Sequence, residues 1–514
     1  MSKTIIIIGA GLAGLSAALQ AAENGCNVKL VSSLPSERAQ SVMAEGGINA
    51  ALNTKDENDS PEEHFTDTIK AACGLADPNA VWGMTQAAPE LVHWLLKLGV
   101  KFNMSGYDDV DLRNFGGQKK KRTAFAQSDT GKQIMTAMID AVRRKEASGM
   151  VERFSHHSFL TLRLCGNICC GCVIRDEYSQ ETVELPGDAV IVATGGMHGL
   201  FGNTTGSLSN TGEVTAELFR LGVPLANGEM IQYHPTTVKC GGKRMLISEA
   251  ARGEGGRLFA MKDGKQWYFM EEKYPELGNL MPRDITAREI WKVSHESEVF
   301  LDMTEISEEI ISNKLSGLAD DCMTYLHKDI RKEPVSVLPG IHYFMGGILV
   351  DEQHRTPIQN LYAAGECCAQ YHGANRLGGN SLLGALYGGR VAAKSACEQA
   401  DVVDLSCAIQ IDFPPMSQIS EIKQLNKVMQ ETMGVVRNEN TLLNGIQTVQ
   451  ALTGNLPLLG MAVLKSALAR KESRGAHWRE DYPKSNDDDY LKTTVARFDG
   501  KQIQISFVPV PERR

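Results

Sequence analysis

The chain has no apolar run of the ~18–20 residues that a membrane-crossing helix needs, so any membrane association is expected to come through a partner. It has no basic tract of the size that nucleic acid requires. Lys+Arg 53 against Asp+Glu 62 leave a net charge of −9, and the short run Lys119-Lys-Lys-Arg122 reads as a solvated loop. It has 12 cysteines but no metal pattern. Cys169-Cys-Gly-Cys172 supplies one C-x-x-C, Cys367-Cys368 stands apart, and no second pair completes a zinc or iron–sulfur site. These clusters read as buried small hydrophobes or reduced thiols. Such usage fits a reducing compartment. No cleavage pattern follows Ile5–Ile8, so no signal peptide is expected and the protein is expected in the cytoplasm. No internal repeat or low-complexity segment is present.

The 514 residues suggest two to four domains with ample core. The first begins with Ile5-Ile-Ile-Ile8, which reads as a buried parallel strand. Gly9, Gly11 and Gly14 follow in G-x-G-x-x-G spacing, and Leu15 to Asn24 read as a helix. In that context the first glycine makes the turn, the second admits a pyrophosphate, and the third lets helix and strand pack closely. The pyrophosphate sits on the helix N-terminus. The second strand, Val28–Val31, ends in Ser32-Ser33 where the fingerprint usually has an acidic ribose ligand. A serine hydroxyl can still bond a ribose.

Residues 1 to about 230 read as one large α/β unit. Ala189-Val-Ile-Val-Ala-Thr-Gly-Gly196 is an apolar strand closed by small residues, and Asn360-Leu-Tyr-Ala-Ala-Gly-Glu366 repeats that form. Glu366 could meet ribityl or ribose hydroxyls, or cap a helix N-terminus. Between them an insertion of mixed pattern reads as a cap domain. From about 415 the chain reads as three helices, Ile419–Met433, Asn440–Thr453 and Leu458–Arg474, with a strand-like tail from Leu491 to Val510. The boundaries expected are 1–235 with 341–414, then 236–340, then 415–514.

One loop, His372-Gly-Ala-Asn-Arg-Leu-Gly-Gly-Asn-Ser-Leu382, sets a single arginine in a small-residue frame. Glycines there let backbone approach a flat cofactor, and Arg376 can grip a carboxylate with two parallel N–H bonds. His372 and Asn375 are expected to shape the loop.

Taken in order, several segments resemble the flavoprotein subunit of the succinate dehydrogenase and fumarate reductase family. They are Gly9–Gly14, Ala44-Glu-Gly-Gly-Ile-Asn-Ala50, Asn114-Phe-Gly-Gly117, His234-Pro-Thr236 and Ser248-Glu-Ala-Ala-Arg-Gly-Glu-Gly-Gly256. Pro282-Arg-Asp284, His342-Tyr-Phe-Met-Gly-Gly347, the Arg376 loop and Arg470-Lys-Glu-Ser-Arg-Gly-Ala-His477 complete the set.

The resemblance implies an α/β fold: a Rossmann-like FAD-binding domain, an inserted α+β capping domain and a C-terminal helical domain. It implies FAD and a dicarboxylate, fumarate or succinate, held between FAD and cap. His234, Ser248, His342 and Arg376 resemble the residues that hold the two carboxylates, and Phe115 the aromatic that presses on the substrate. Arg283 resembles the proton donor, with Glu249 and Arg252 as its relay. Arginine can donate only within such a relay, because its solution pKa exceeds ~12. The cofactor is expected against Gly9, Gly11, Leu12, Ala13, Gly14, Ser32, Ser33, Ser41, Ala44, Gly46 and Gly47. Asp129, Ala193, Thr194, Gly195, Glu366, Arg376, Ser381 and Leu382 complete that set. No metal is expected. Electrons are expected from an iron–sulfur subunit or another donor protein, since the chain has no clusters of its own.

Four departures from the family pattern bear on function. Gln40 stands where membrane-bound members carry the histidine linked to FAD; glutamine has no nucleophilic ring nitrogen, so FAD is expected to be non-covalent. The link raises flavin potential, so its absence disfavours succinate oxidation and leaves fumarate reduction with a low-potential donor. Ser248 replaces a threonine and keeps the hydroxyl. Phe344 replaces a threonine and is expected to add bulk near the substrate pocket, which opens the reading to another enoate. Gly379 replaces a serine, with little effect expected. L-Aspartate oxidase is the nearest rival. Its segment matching Phe115-Gly-Gly117 supplies a carboxylate to the substrate ammonium, and this chain has none there; an ammonium buried without a counter-charge is costly.

Overall fold

A strand that is apolar on both faces has to lie in a sheet covered on both sides. Ile5–Ile8 are all buried. The computed structural model, which describes residues 2–106, 109–400, 408–415 and 418–514, places Thr4–Ile8 at the centre of a five-stranded sheet. The order is Leu361–Ala363, Ala189–Val192, Thr4–Ile8, Asn27–Ser32, Val151–Ser155, and every pairing is parallel. Helices Leu12–Glu23 and Asn380–Gln399 pack closely against each other. A Cβ on Gly389 would fall 2.3 Å from the Ala13 carbonyl oxygen, and Ser16 Oγ donates to Leu386 O at 2.6 Å. The first helix starts at Leu12, three residues before the expected Leu15, because Gly11 already takes the extended N-cap conformation.

The cap is built on a four-stranded antiparallel sheet, Lys265–Trp267, Arg257–Lys262, Val299–Asp302, Val335–Ser336. It has its own core, including Phe269, Leu258, Ile290 and Leu301, and Phe115 joins that core. The chain enters and leaves the cap through a three-stranded sheet, Lys243–Leu246, Ile231–Cys240, Leu338–Phe344. Its central pairing is broken twice. His342 is an extra residue between partners of Gln232 and Tyr233, and Pro235 and Thr236 stand between partners of Gly340 and Leu338. Bulges of this kind re-aim side chains beside functional sites.

Three C-terminal helices, Ile419–Thr432, Glu439–Val449 and Asn455–Ala469, share a core of Leu425, Met429, Leu459 and Val463. The third stops at Ala469, short of the expected Arg474. Beyond it Arg470 and Glu472 are fully buried and must be paired. Arg470 Nε meets Glu229 Oε1 at 2.7 Å, its Nη1 meets Glu472 Oε1 at 2.6 Å, and Arg474 Nε meets the same Oε1 at 2.8 Å. The tail forms a hairpin, Lys492–Phe498 and Ile503–Pro509, that pairs with Leu225–Ala226 in a second five-stranded sheet. Among the described residues no helix is long and apolar enough to cross a membrane. Both cysteine clusters are free, buried thiols, but Cys165, outside them, is disulfide-bonded, so the reduced-thiol reading does not extend to every cysteine.

Candidate active site

One cavity of about 840 Å³ runs from the N-terminus of helix Leu12–Glu23 to the Arg376 loop. At one end lie Gly9, Gly11, Leu12, Ala13, Ser32, Ser33, Ser41, Ala44, Gly46, Gly47, Ala193, Thr194, Gly195, Glu366, Ser381 and Leu382, as the sequence suggests. Gly9 has φ +110°, and a Cβ there would stand 2.3 Å from Ala193 O. Gly14 does not line the cavity; its missing Cβ lets it pack on the Gly9 carbonyl, which is the helix–strand role of the third glycine. Ser32 Oγ is buried without a hydrogen-bond partner, at the strand end where a ribose is expected. Glu366 Oε1 accepts from the Phe344 N–H at 3.0 Å and faces the cavity at the sheet's carboxyl edge. An unpaired hydroxyl, a helix N-terminus and a glycine cradle fit a dinucleotide. Asp129, like Gly14, is an expected cofactor residue that lies outside the cavity wall. It sits at the N-terminus of helix Thr130–Ala147.

At the other end the cavity is bordered by Phe115, His234, Ser248, Glu249, Arg283, His342 and Arg376. They come from six separate segments. The two bulges aim His234 and His342 at each other, ring centroids 5.1 Å apart. Both imidazoles are held well below their ordinary pKa, first by burial and then by the Arg283 charge, so both are neutral at pH 7. Thr205 Oγ1 lies 2.8 Å from His342 Nδ1, leaving Nε2 for a ligand. Ser248 caps the short helix Glu249–Gly253.

Arg376 is 4% exposed. Its Nε has no hydrogen-bond partner, and its guanidinium stands 4.4 Å from the Tyr343 ring centroid. Burial, then the neighbouring Arg283 charge, push its pKa down to about 9. A buried cation with no acceptor among the described residues awaits an anion.

Arg283 faces it with its charge already engaged. Its Nε and Nη2 both meet Glu249 Oε2, at 2.8 and 2.6 Å. Glu249 Oε1 receives Arg252 Nη2 at 3.2 Å and the Gly116 N–H at 3.2 Å. Burial would raise this carboxyl, but Arg283 and Arg252 outweigh it and hold it below its ordinary pKa. The result is a buried Arg283–Glu249–Arg252 chain, with Arg252 behind the cavity wall rather than in it.

Three side chains that sequence reasoning did not single out complete the site. Gln232 Oε1 accepts from Arg283 Nη1 at 3.1 Å, while its Nε2 donates to Arg376 O at 2.8 Å and Asn375 Oδ1 at 3.0 Å. It lies two residues before His234, and that period-two spacing was its only signal. Tyr343 carries Arg376 on its ring. Glu45, between the expected Ala44 and Gly46, lines the cavity with its pKa raised to about 8, mainly by burial. Phe344 corrects an expectation. It does not line the cavity; its ring turns away and packs on His198 and Phe201, centroids 5.0 and 5.6 Å away.

Sequence comparison shows the family. Residues 4–382 match the family description "FAD binding domain" and residues 452–513 match "Fumarate reductase flavoprotein C-term". The succinate dehydrogenase flavoprotein subunit of Bacillus subtilis is 38% identical, across 100% of this chain and 98% of that relative. The chain belongs to the succinate dehydrogenase/fumarate reductase flavoprotein family. Another relative of this flavoprotein is the 8-methylmenaquinol:fumarate reductase flavoprotein subunit of Wolinella succinogenes, 32% identical over 100% of this chain and 92% of the relative. A solved structure of E. coli quinol fumarate reductase FrdA superposes with a TM-score of 0.90 at 27% identity, covering 99% of this chain and 97% of that one. The flavoprotein is thus an FAD-dependent oxidoreductase with the mixed α/β fold and helical C-terminal part of that family.

Proposed function

We propose that this flavoprotein reduces fumarate to succinate with non-covalently bound FAD, fed by an iron–sulfur subunit or another electron-donor protein. The observation that carries the reading is the unpaired, buried Arg376 guanidinium facing the Arg283–Glu249–Arg252 chain. A dicarboxylate supplies the anion that Arg376 lacks, and an alkene carbon beside Arg283 supplies a use for a relayed proton.

When bound, FAD supplies the two-electron hydride exchange. The residues named for it are those of the glycine cradle, Ser32 and Glu366. Arg376 binds one substrate carboxylate in bidentate fashion. Neutral His234 and His342, with Ser248, donate to the other polar groups without adding charge. Phe115 closes the site against the cap core and excludes water. Arg283 gives a proton to the alkene carbon opposite the hydride, and Glu249, backed by Arg252, returns one to the guanidinium. A hydride and a proton added across the double bond balance fumarate to succinate.

Relatives bear the names of both directions of this reaction. Reduction is favoured here because Gln40 lines the cavity where a covalent link would otherwise form, and an unlinked flavin keeps a low potential. Phe344, turned into the core, gives no reason to prefer another enoate. An ammonium substrate finds no free carboxylate beside Arg283: both oxygens of Glu249 are committed, Glu45 holds its proton at pH 7, and Glu366 is bonded to the Phe344 N–H. The test is fumarate-dependent oxidation of reduced viologen by the purified chain. Turnover that vanishes in Arg376→Met supports the reading, and no turnover by the FAD-loaded wild type refutes it.

A further inference from the structure

The C-terminal segment Arg470–His477 lies outside the cavity, and the proposed reaction assigns it nothing. Yet it touches both halves of the site through one peptide unit. The Ala476 N–H donates to Ala374 O at 2.9 Å. The Gly475 carbonyl, the other end of the same peptide, accepts from Arg288 Nη1 at 2.9 Å. Ala374 lies two residues before Arg376 in its loop. Arg288 lies in helix Arg283–Val293, whose first residue is Arg283.

We propose that the Gly475–Ala476 peptide is a strut that sets the spacing between Arg283 and Arg376, with Arg288 as the positioning residue that loads it. This deepens the fumarate-reductase reading and rests on it for the identity of the reaction.

The strut is stiff at each contact. Gly475 has φ +55°, and a Cβ there would fall 2.5 Å from Ala374 O, so only glycine lets the two loops meet. Arg288 is fixed on three sides, by Gly475 O, by Asp284 Oδ2 at 3.2 Å, and by the Trp478 ring with its centroid 4.5 Å away. A guanidinium on the carbonyl polarises the peptide and strengthens its N–H bond to Ala374. The next residue back, Arg474, is bound to the buried Glu472 and to Cys73 O at 3.1 Å, so the strut stands on the ion network rather than on a free loop. The far side of the clamp loop is held too: the Ala374 N–H donates to Ala72 O at 3.0 Å. Gln232 ties the Arg283 guanidinium to the Arg376 carbonyl; the strut ties Arg288, one turn further along the same helix, to the Ala374 carbonyl.

A proton donor displaced by ~1 Å costs about 10²-fold in rate. Loss of the strut leaves the Gln232 tie, so a smaller loss is expected. Arg288→Met in the full-length, FAD-loaded chain should lower kcat for fumarate-dependent viologen oxidation about tenfold. The solvent deuterium effect on kcat should rise, because proton transfer becomes slower relative to other steps. Bound FAD should stay stoichiometric, and the Kd for malonate, an unreactive dicarboxylate, should stay within about threefold. Arg288→Lys, which keeps a donor for Gly475 O, should recover part of the rate.

Hydrogen exchange reads the strut without reference to the reaction. In Arg288→Met the amides of the first turns of helix Arg283–Val293 and those of Ala374 and Ala476 should exchange faster together. A kcat within twofold of wild type, a loss that tracks lost FAD, or faster exchange confined to the helix would overturn the inference. Coupled exchange in a chain whose wild type does not reduce fumarate would sink the fumarate reading and leave the strut standing.

Discussion

Removing the Arg376 charge should weaken dicarboxylate binding and strengthen the ligand-free fold. A bidentate arginine–carboxylate pair has two charge-assisted hydrogen bonds, each worth about 1.5–3 kcal/mol. Arg376→Met should therefore raise the malonate Kd by roughly 10²–10⁴. The same guanidinium is a burden when no anion is present. A cation whose pKa falls from 12.5 to about 9 on folding loses roughly 5 kcal/mol at most, at ~1.36 kcal/mol per tenfold. Water in the cavity reduces that figure to a few kcal/mol. The sign follows from proton binding. Above pH 9 the unfolded chain holds a proton that the folded chain has released, so stability rises with pH there and the cost is fully present below it. At pH 7 the variant, loaded with FAD, should thus melt no lower than wild type without malonate, and malonate should no longer raise its melting temperature. Differential scanning fluorimetry with titrated malonate measures both effects. A variant that melts several degrees lower yet keeps wild-type malonate affinity would refute the argument that Arg376 is an unpaired cation awaiting an anion.

Arg283→Ala should lower kcat at least 10³-fold while FAD and malonate still bind, since the proton donor and not the clamp is lost; steady-state assay with binding titration checks this. Glu45 should govern the alkaline limb of activity. Its carboxyl, raised to about 8 by burial, is neutral at pH 7 and places a negative charge beside the dianion above pH 8, so activity should fall there. Glu45→Gln should keep its rate past pH 8 and fall only near pH 9, where Arg376 begins to lose its charge. The same proton, kept by the folded chain and lost by the unfolded one, makes wild-type stability decline as pH rises from 4.5 to about 8, and the glutamine variant should lose that slope in pH-dependent denaturation. Acid precipitation should release all the yellow colour into the supernatant, as Gln40 offers no ring nitrogen for attachment.

The parts of this account that were legible in the sequence are local. Gly9–Gly14 and the four isoleucines before them specify strand, turn and helix start within ten residues, and nothing distant can change that pattern. The Arg376 loop announced itself because a single cation in a small-residue frame has few uses. What stayed hidden depends on pairings far apart in the chain. Phe344 was expected near substrate because it replaces a threonine of the family pattern around His342, yet the bulge at His342 turns both His342 and Tyr343 to the cavity and sends Phe344 into the core. Gln232 carries no motif, and its importance appears only when Arg283 and Arg376 are brought to it from either side. Arg470–Arg474 read as the end of a helix, but the burial of Arg470 and Glu472 forces a break that no local propensity signals.

The central claim is tested most directly by a single turnover under anaerobic conditions. The FAD-loaded chain is reduced by dithionite, freed of excess reductant and mixed with one equivalent of fumarate. Complete reoxidation of the flavin with formation of one equivalent of succinate, and no reoxidation by a monocarboxylate enoate, is the predicted result. A flavin that stays reduced with fumarate, or an oxidised flavin that L-aspartate bleaches, would contradict it.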